Sequence, residues 1–364
     1  MDPDLNELLL ADDDGQYLEG GEGGAGASAR ASKHHVEKPK YLADETADAS
    51  DLARQRWALV VPEGPEGSRL AELARRLVRQ RAEDQGAAVD TIRVPRAETA
   101  TPEGALTWMR TKYPSQYGGH EYRRPRYLLL LGDFDQVSLP MQLAFAVHSF
   151  PGRVALDREE QYEVYFDKLL RHQRTPAPQH EARALLYTVH DGTDATRVGH
   201  RRLISKLAES CADLRAAKRR EFPAELPQTL GAARPDPQEL LNLARAPTPT
   251  VLFSLSHGKG PPRRDGWTRA QAMELQGSMH FGAAGAITPR ELAQATFLPG
   301  GLWFYFACFG AGTPERSAYH HWLEGRPGGR GDLGRVLHGL ARGGGGFTSG
   351  LAKAALANPD GPLG

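Results

Sequence analysis

Short, almost wholly apolar runs alternate along this chain with stretches whose apolar residues recur at helical spacing. Trp57–Val61 (WALVV) is the first such run, and Ser68–Arg81 follows with Leu70, Leu73 and Leu77 on one helix face. Val89–Val94 reads as a second strand, Thr101–Lys112 as a helix and Tyr127–Leu131 (YLLLL) as a third strand closed by Gly132-Asp133. The order continues with a helix over Asp157–Arg174, a Pro-rich break at Thr175–Gln179, a strand at Ala184–His190 and a helix at Thr193–Ala216. Pro237–Ala244 is a short helix, Thr250–Ser256 a strand ending at His257-Gly258, and Gly301–Ala307 (GLWFYFA) a strand ending at Cys308. Strands that are apolar along their length and alternate with helices predict an α/β fold, with a mostly parallel sheet covered on both faces.

Residues 1–50 break this pattern. Gly15–Ser32 is rich in Gly, Ala and Glu, so residues 1–50 read as a mobile leader, with a short amphipathic patch at Leu5–Leu10. The remainder divides into an N-terminal α/β half, 51–180, and a second half, 181–364, that carries the candidate chemistry. No repeat recurs at a period of about 20–50 residues.

Composition narrows the class. The chain has 364 residues, 40% hydrophobic and 25% charged, with Lys plus Arg and Asp plus Glu both at 45. A balanced charge argues against direct nucleic-acid binding, which draws on a basic excess. No apolar run reaches the roughly 18 residues of a membrane span, and the acidic N-terminus lacks the basic start of a secretory signal. The expectation is a cytoplasmic protein with no membrane partner. Only Cys211 and Cys308 occur, so neither a disulfide framework nor a cysteine-based zinc site is expected. His320-His321 lacks matched ligands, and neither a metal nor a cofactor is expected.

Two features share one structural position. The strand VLFSLS delivers His257-Gly258 at its carboxyl end, and LWFYFA delivers Cys308 at its own. In open parallel sheets, chemistry gathers outside the carboxyl ends of strands. A thiol is nucleophilic as thiolate, and a neighbouring imidazole takes its proton and later protonates a leaving amine. Gly258 lets backbone approach a substrate carbonyl, so its N–H and that of Cys308 form a candidate oxyanion hole. One such donor is worth about 2.7–4 kcal/mol in a transition state. Taken singly, such a Cys is a small buried hydrophobe and such a His a polar cap. Cys211, on a helical segment without this context, reads as core.

Ser256-His257-Gly258 after one strand and Phe306–Pro314 (FACFGAGTP) after another resemble the paired motifs of clan CD cysteine peptidases, among them caspases, gingipains, separase and bacterial CHAT-domain proteases. The histidine also lies about 50 residues upstream of the cysteine, as in caspases. Phe306 stands where the animal caspases have Gln, so the resemblance is closer to the bacterial CHAT and gingipain-like proteins. Leu129–Asp133 with Pro140, Phe150–Asp157 (FPGRVALD) and Leu275–Ser278 (LQGS) resemble further segments of those proteins. The resemblance spans roughly residues 51–364. It implies a caspase-hemoglobinase fold, a three-layer sandwich with a mostly parallel central sheet, and a cysteine endopeptidase without a cofactor. Cys308 would be the nucleophile, His257 the base, and Gly258 with Cys308 the oxyanion donors. No third triad member is matched.

Two departures stand out. LAFAVHSF, ahead of the Gly-Arg segment, lacks the acid that gives gingipains their Arg specificity. Asp133, Asp135 and Asp157 read as structural, Asp133 and Asp157 as caps. After Thr348–Ala357 comes the turn Asn358-Pro-Asp-Gly-Pro, where related domains continue into another core strand; a fragment, a processed form or a chain cut short, with a sheet edge left unpaired, is expected.

The partners expected are a protein substrate and an activating protease or regulatory protein, in a bacterial defence or signalling setting. The glycine-rich stretch Glu315–Phe347 reads as a loop that closes over substrate or is processed at Arg326 or Arg330. The basic cluster Pro261–Asp265 reads as a border of the cleft. A catalytically inactive caspase-like adaptor or scaffold is the alternative. An α/β nucleotide-binding enzyme is disfavoured, since Glu63–Ser68 (EGPEGS) matches neither GxGxxG nor a P-loop.

Overall fold

A computed structural model describes residues 48–117, 123–175, 181–217, 224–231, 234–261, 267–315 and 346–364. The leader up to residue 47, the loop carrying His320, His321, Arg326 and Arg330, and the basic residues after Pro261 lie outside the described residues. The chain divides into two compact units between Leu170 and Arg171.

The first unit is built on a four-stranded sheet of β1 (Trp57–Pro62), β2 (Asp90–Val94), β3 (Tyr127–Leu131) and β4 (Phe150–Val154), in the order β2-β1-β3-β4. Every pair is parallel. Ala58, Val60, Ile92, Leu128 and Leu130 form a cluster with Trp108, Tyr113 and Phe145. The alternate residues Leu59, Val61 and Leu131 are buried as well, so these strands are covered on both faces. Burying a side chain of this size contributes about 1.5–3 kcal/mol.

The helix predicted over Ser68–Arg81 is two helices, α1 (Pro65–Leu73) and α2 (Arg75–Gln85). It starts early because Pro65 sits preset at its first turn. It breaks at Ala74, whose ψ of −2° leaves the helical range. Thr101 caps α3 (Pro102–Thr111) by accepting from Gly104 N–H. Among the longer elements, α4 (Leu139–Ala146) and β4 escape the sequence pattern. The first is so apolar that no period shows, and the second contains Pro151 and Gly152. Those two residues are tolerated because β4 is an edge strand. The long α5 (Glu159–Arg174) runs across the division.

The second unit repeats the plan with β5 (Arg183–Thr188), β6 (Gln228–Leu230), β7 (Thr250–Leu255) and β11 (Leu302–Phe306), in the order β11-β7-β5-β6 and again wholly parallel. Between β7 and β11 lie three two-residue strands, β8 (His257–Gly258), β9 (Met279–His280) and β10 (Ala286–Ile287), forming a small antiparallel sheet. The helix predicted over Thr193–Ala216 is α6 (Asp194–Gly199), a π-helical turn at His200–Ile204 and α7 (Ser205–Ala217). Leu185, Tyr187 and Leu252 pack against Leu240 of α8 (Pro237–Ala244). The same cluster takes in Leu292 of α10 (Pro289–Gln294) and Leu351 of α11 (Gly350–Ala357); α9 (Arg269–Leu275) precedes β9. Leu186 and Leu255 pack on the opposite face with Ile204, Leu203 and Leu207. This unit is therefore a three-layer α/β arrangement.

Its edge strand departs from the expectation of two covered faces. Trp303 and Tyr305 of β11 pack on the main cluster, whereas Phe304 and Phe306 are 55% and 56% exposed. The cause is local, because α7 buries none of its residues and shields only the inner strands. The edge of β11 is not wholly open. Leu363 N–H donates to Gly301 O, and Trp303 N–H donates to Gly364 O. Among the described residues no helix is long and apolar enough to cross a membrane.

Candidate active site

The parallel register of β7 and β11 brings His257 and Cys308 to one place. Its last pair is Leu255 with Phe306, and Ser256 N–H donates to Phe306 O at 3.3 Å. Two residues further along each strand are His257 and Cys308. Backbone contact continues past the ladder. A Cβ on Gly258 would fall 1.7 Å from Cys308 O and 3.4 Å from Cys308 N, so only glycine permits this approach. Lys259 N–H donates to Ser278 O, which makes Gly258 and Met279 a non-hydrogen-bonded pair and turns the Gly258 amide away from β9.

Cys308 itself is exposed, in a tight turn closed by Gly310 N–H on Ala307 O. Phe309 is held at φ +57°, a strained conformation for a bulky residue. That turn is braced from outside. Gly277 (φ +84°) packs so close that a Cβ there would meet Phe309 O at 2.2 Å, and Tyr305 donates its hydroxyl to Gly277 O. Ser349 donates its N–H to Ala311 O and its hydroxyl to Gly310 O. Burial pushes the Tyr305 pKa up; the Ser256 hydroxyl opposes that shift, and the negative charge of the Cys308 thiolate adds to it.

His257 is held from a third strand. Beyond the carboxyl end of β5, which lies beside β7, come Asp191 and Thr193. Thr193 Oγ1 lies 2.9 Å from His257 Nε2, and Asp191 Oδ2 lies 3.6 Å from the same nitrogen. Asp191 Oδ1 accepts from Thr193 N–H, from the Thr193 hydroxyl and from the Thr196 hydroxyl. Burial alone would raise the Asp191 pKa. The Thr193 hydroxyl and amide, the His257 charge and the Thr196 hydroxyl outweigh it and hold this carboxyl below its ordinary range. The side chains of His257 and Asp191 are 19% and 8% exposed, so the contact is largely shielded from water.

Sequence reasoning missed Asp191. The signal was present, since VHDGT follows an apolar strand as His257 and Cys308 follow theirs. Asp191 lies three residues beyond the end of its strand, whereas His257 and Cys308 follow theirs almost directly and form a familiar thiol–imidazole pair.

Further histidines surround the site. His280 stands opposite His257 in the small sheet, and its Nδ1 accepts from Gly282 N–H. Burial, then repulsion from His257, lowers its pKa. The π-helical turn brings His200 Nδ1 within 2.9 Å of Thr188 Oγ1. Burial and the neighbouring His190 lower the His200 pKa also. Both histidines therefore resist protonation in the folded state. As pH falls below the ordinary histidine value of about 6.5, the unfolded chain takes up protons first, and folding stability is lost. Between about pH 7 and pH 5 the thermal midpoint falls, and His200→Gln flattens that fall. Thermal unfolding across this range checks it; an equal slope in the variant counts against the assignment.

Other residues singled out in the sequence have surroundings of their own. Cys211, read as core, is only half-buried on α7, a helix with no buried residue. Partial burial raises its thiol pKa. Asp133 turns its carboxylate onto Phe134 N–H, and Asp157 uses its N–H to meet Gln161. Asp157 also lines a cavity of about 420 Å³ in the first unit, with Pro65, Glu66, Arg69 and Arg158. Among the described residues no group of His, Cys, Asp and Glu is arranged to hold a metal.

Comparison with known proteins adds little. No family model matches the chain, and no curated protein matches it. A solved structure described as "Structure of Protease" superposes with a TM-score of 0.42 at 16% identity over 69% of this chain. The overlap covers 52% of that protein, about half its length. At that level the likeness does not bear on fold or activity.

Proposed function

We propose that this protein is a cysteine endopeptidase of the caspase-like kind, with Cys308 as nucleophile and His257 as base. His257 takes the proton from the Cys308 thiol, and the thiolate attacks the carbonyl carbon of a scissile peptide bond. The developing oxyanion is met by the N–H groups of Gly258 and Cys308. The imidazolium then gives its proton to the departing amine, and water hydrolyses the resulting thioester. A protein substrate is the partner this chemistry requires.

One observation carries the proposal: the backbone of Gly258 lies against that of Cys308, at the carboxyl edge where the strand register aligns His257 with Cys308. A structural cysteine needs neither that contact nor an exposed, strained turn. Digestion of a peptide library by the full chain tests it. Cleavage that disappears after alkylation of the protein is the expected result. Cleavage that survives alkylation overturns the assignment of the nucleophile.

The exposed row of Phe304 and Phe306 favours a second reading, a caspase-like scaffold that binds another protein through this face. Normal assembly with a partner by a Cys308→Ala chain, with no proteolysis by the unmodified one, would support it.

A further inference from the structure

We infer that Asp191, acting through Thr193, holds His257 in the tautomer protonated on Nε2 and so leaves Nδ1 as the basic nitrogen for Cys308. This rests on the reading of Cys308 and His257 as nucleophile and base, and assigns Asp191 and Thr193 as positioning residues for it.

The assignment follows from counting protons. Thr193 has one hydroxyl proton, and its Oγ1 lies 2.8 Å from Asp191 Oδ1, 2.9 Å from His257 Nε2 and 3.1 Å from Thr196 Oγ1. An ionised carboxylate only accepts, and it is the strongest acceptor of the three. The Thr193 proton therefore points to Asp191. The Thr196 hydroxyl, 2.9 Å from the same carboxylate oxygen, points there too. Thr193 Oγ1 is left with lone pairs facing His257, so the 2.9 Å contact requires a proton on Nε2. A neutral imidazole carries one proton, so Nδ1 is bare. When Nδ1 takes the thiol proton, the Asp191 carboxylate 3.6 Å from Nε2 stabilises the cation that results.

The arrangement is built for this purpose. Asp191 Oδ1 is saturated by three donors that fix its orientation. Gly282 makes room for it, since a Cβ there would meet Asp191 Cβ at 3.0 Å. None of these bonds is needed to close the sheet, because β5 ends at Thr188, before Asp191.

Nitrogen-15 NMR of the full chain labelled at histidine reads the tautomer directly, the His257 signals being identified by their loss in His257→Gln. The expected wild-type result is a protonated Nε2 and a bare Nδ1 near neutral pH. Asp191→Asn is close in size but replaces an acceptor with a donor. The amide keeps its oxygen toward the three donors, among them the Thr193 backbone N–H, and places its NH2 where Oδ2 faced Nε2; a donor there repels a proton on Nε2, and the tautomer reverses. Peptide cleavage then falls on the order of 10⁴-fold, the scale of a triad left with the wrong tautomer. Thr193→Val removes the hydroxyl and is expected to change the His257 signals and slow cleavage, whereas Thr193→Ser keeps the hydroxyl, the wild-type signals and the rate; that contrast excludes a merely structural role. A wild-type His257 protonated on Nδ1 overturns the inference, as does an Asp191→Asn chain with unchanged signals. A protonated Nε2 in a wild-type chain that cleaves no peptide supports the tautomer while sinking the peptidase reading.

Discussion

Cys308→Ala is expected to abolish peptide cleavage, a loss on the order of 10⁶-fold in turnover, the scale seen when a covalent nucleophile is removed. The remaining groups have nothing to work on. His257 then has no thiol to deprotonate, and the Gly258 amide faces a substrate carbonyl that no nucleophile attacks. The fold should be indifferent to the change. Cys308 is exposed, so its sulfur fills no cavity, and surface replacements away from special features stay within about 0.5 kcal/mol. Cleavage of a library-derived peptide and the thermal midpoint, measured together, separate the two effects. Persistent cleavage would move the chemistry elsewhere in the chain. The same replacement at Cys211 leaves cleavage unchanged.

Gly258→Ala is the second large effect, and it acts through backbone alone. The added Cβ would lie 1.7 Å from Cys308 O and 2.8 Å from its carbonyl carbon. Neither atom belongs to a flexible side chain, so the strand or the turn must move on the order of 1 Å. A displacement of that size near reacting atoms costs about 10²-fold. Removing one oxyanion donor from alignment costs about 10²–10³-fold. Because both follow from one shift, a fall of about 10³-fold in kcat is expected, with substrate binding affected less. Gly152→Ala is the control, since a Cβ there meets nothing within 4 Å. Full activity in Gly258→Ala would show that the amide and the close approach serve no catalytic purpose.

The fold was legible wherever an element buried a regular stripe. Tyr127–Leu131 and Pro237–Ala244 have the bounds their patterns give, and most other predicted elements differ by a residue or two. Where pattern failed, the reason was specific. β4 carries Pro and Gly that only an edge strand accepts, and α4 is apolar on every side. The helix after Thr193 is interrupted by the π-helical turn His200–Ile204; the close approach of Gly199 to Leu255 and the tie between His200 and Thr188 at that place are tertiary contacts that the helical period does not reveal.

The juxtaposition of the two candidate residues was legible in the sequence, and the groups that contact His257 were not. His257 and Cys308 could be placed together because both end apolar strands, which fixes position without any knowledge of contacts. Asp191 belongs to the same edge, but its role depends on hydroxyl protons that sequence does not order. The glycine of LQGS shows the converse: Gly277 drew notice only as one of a pair, and geometry supplies its reason in the turn after Cys308.

The most direct test of the Cys308–His257 pairing is the pH dependence of iodoacetamide labelling at each cysteine, followed by mass. A thiolate supported by an imidazole reacts well below the ordinary thiol pKa of about 8.5. Cys211, its pKa raised by burial, reacts only at higher pH. Labelling of Cys308 at about pH 6–7, ahead of Cys211 and lost in His257→Ala, is the result predicted. Equal rates at the two cysteines, or a Cys308 profile unchanged by His257→Ala, would contradict it.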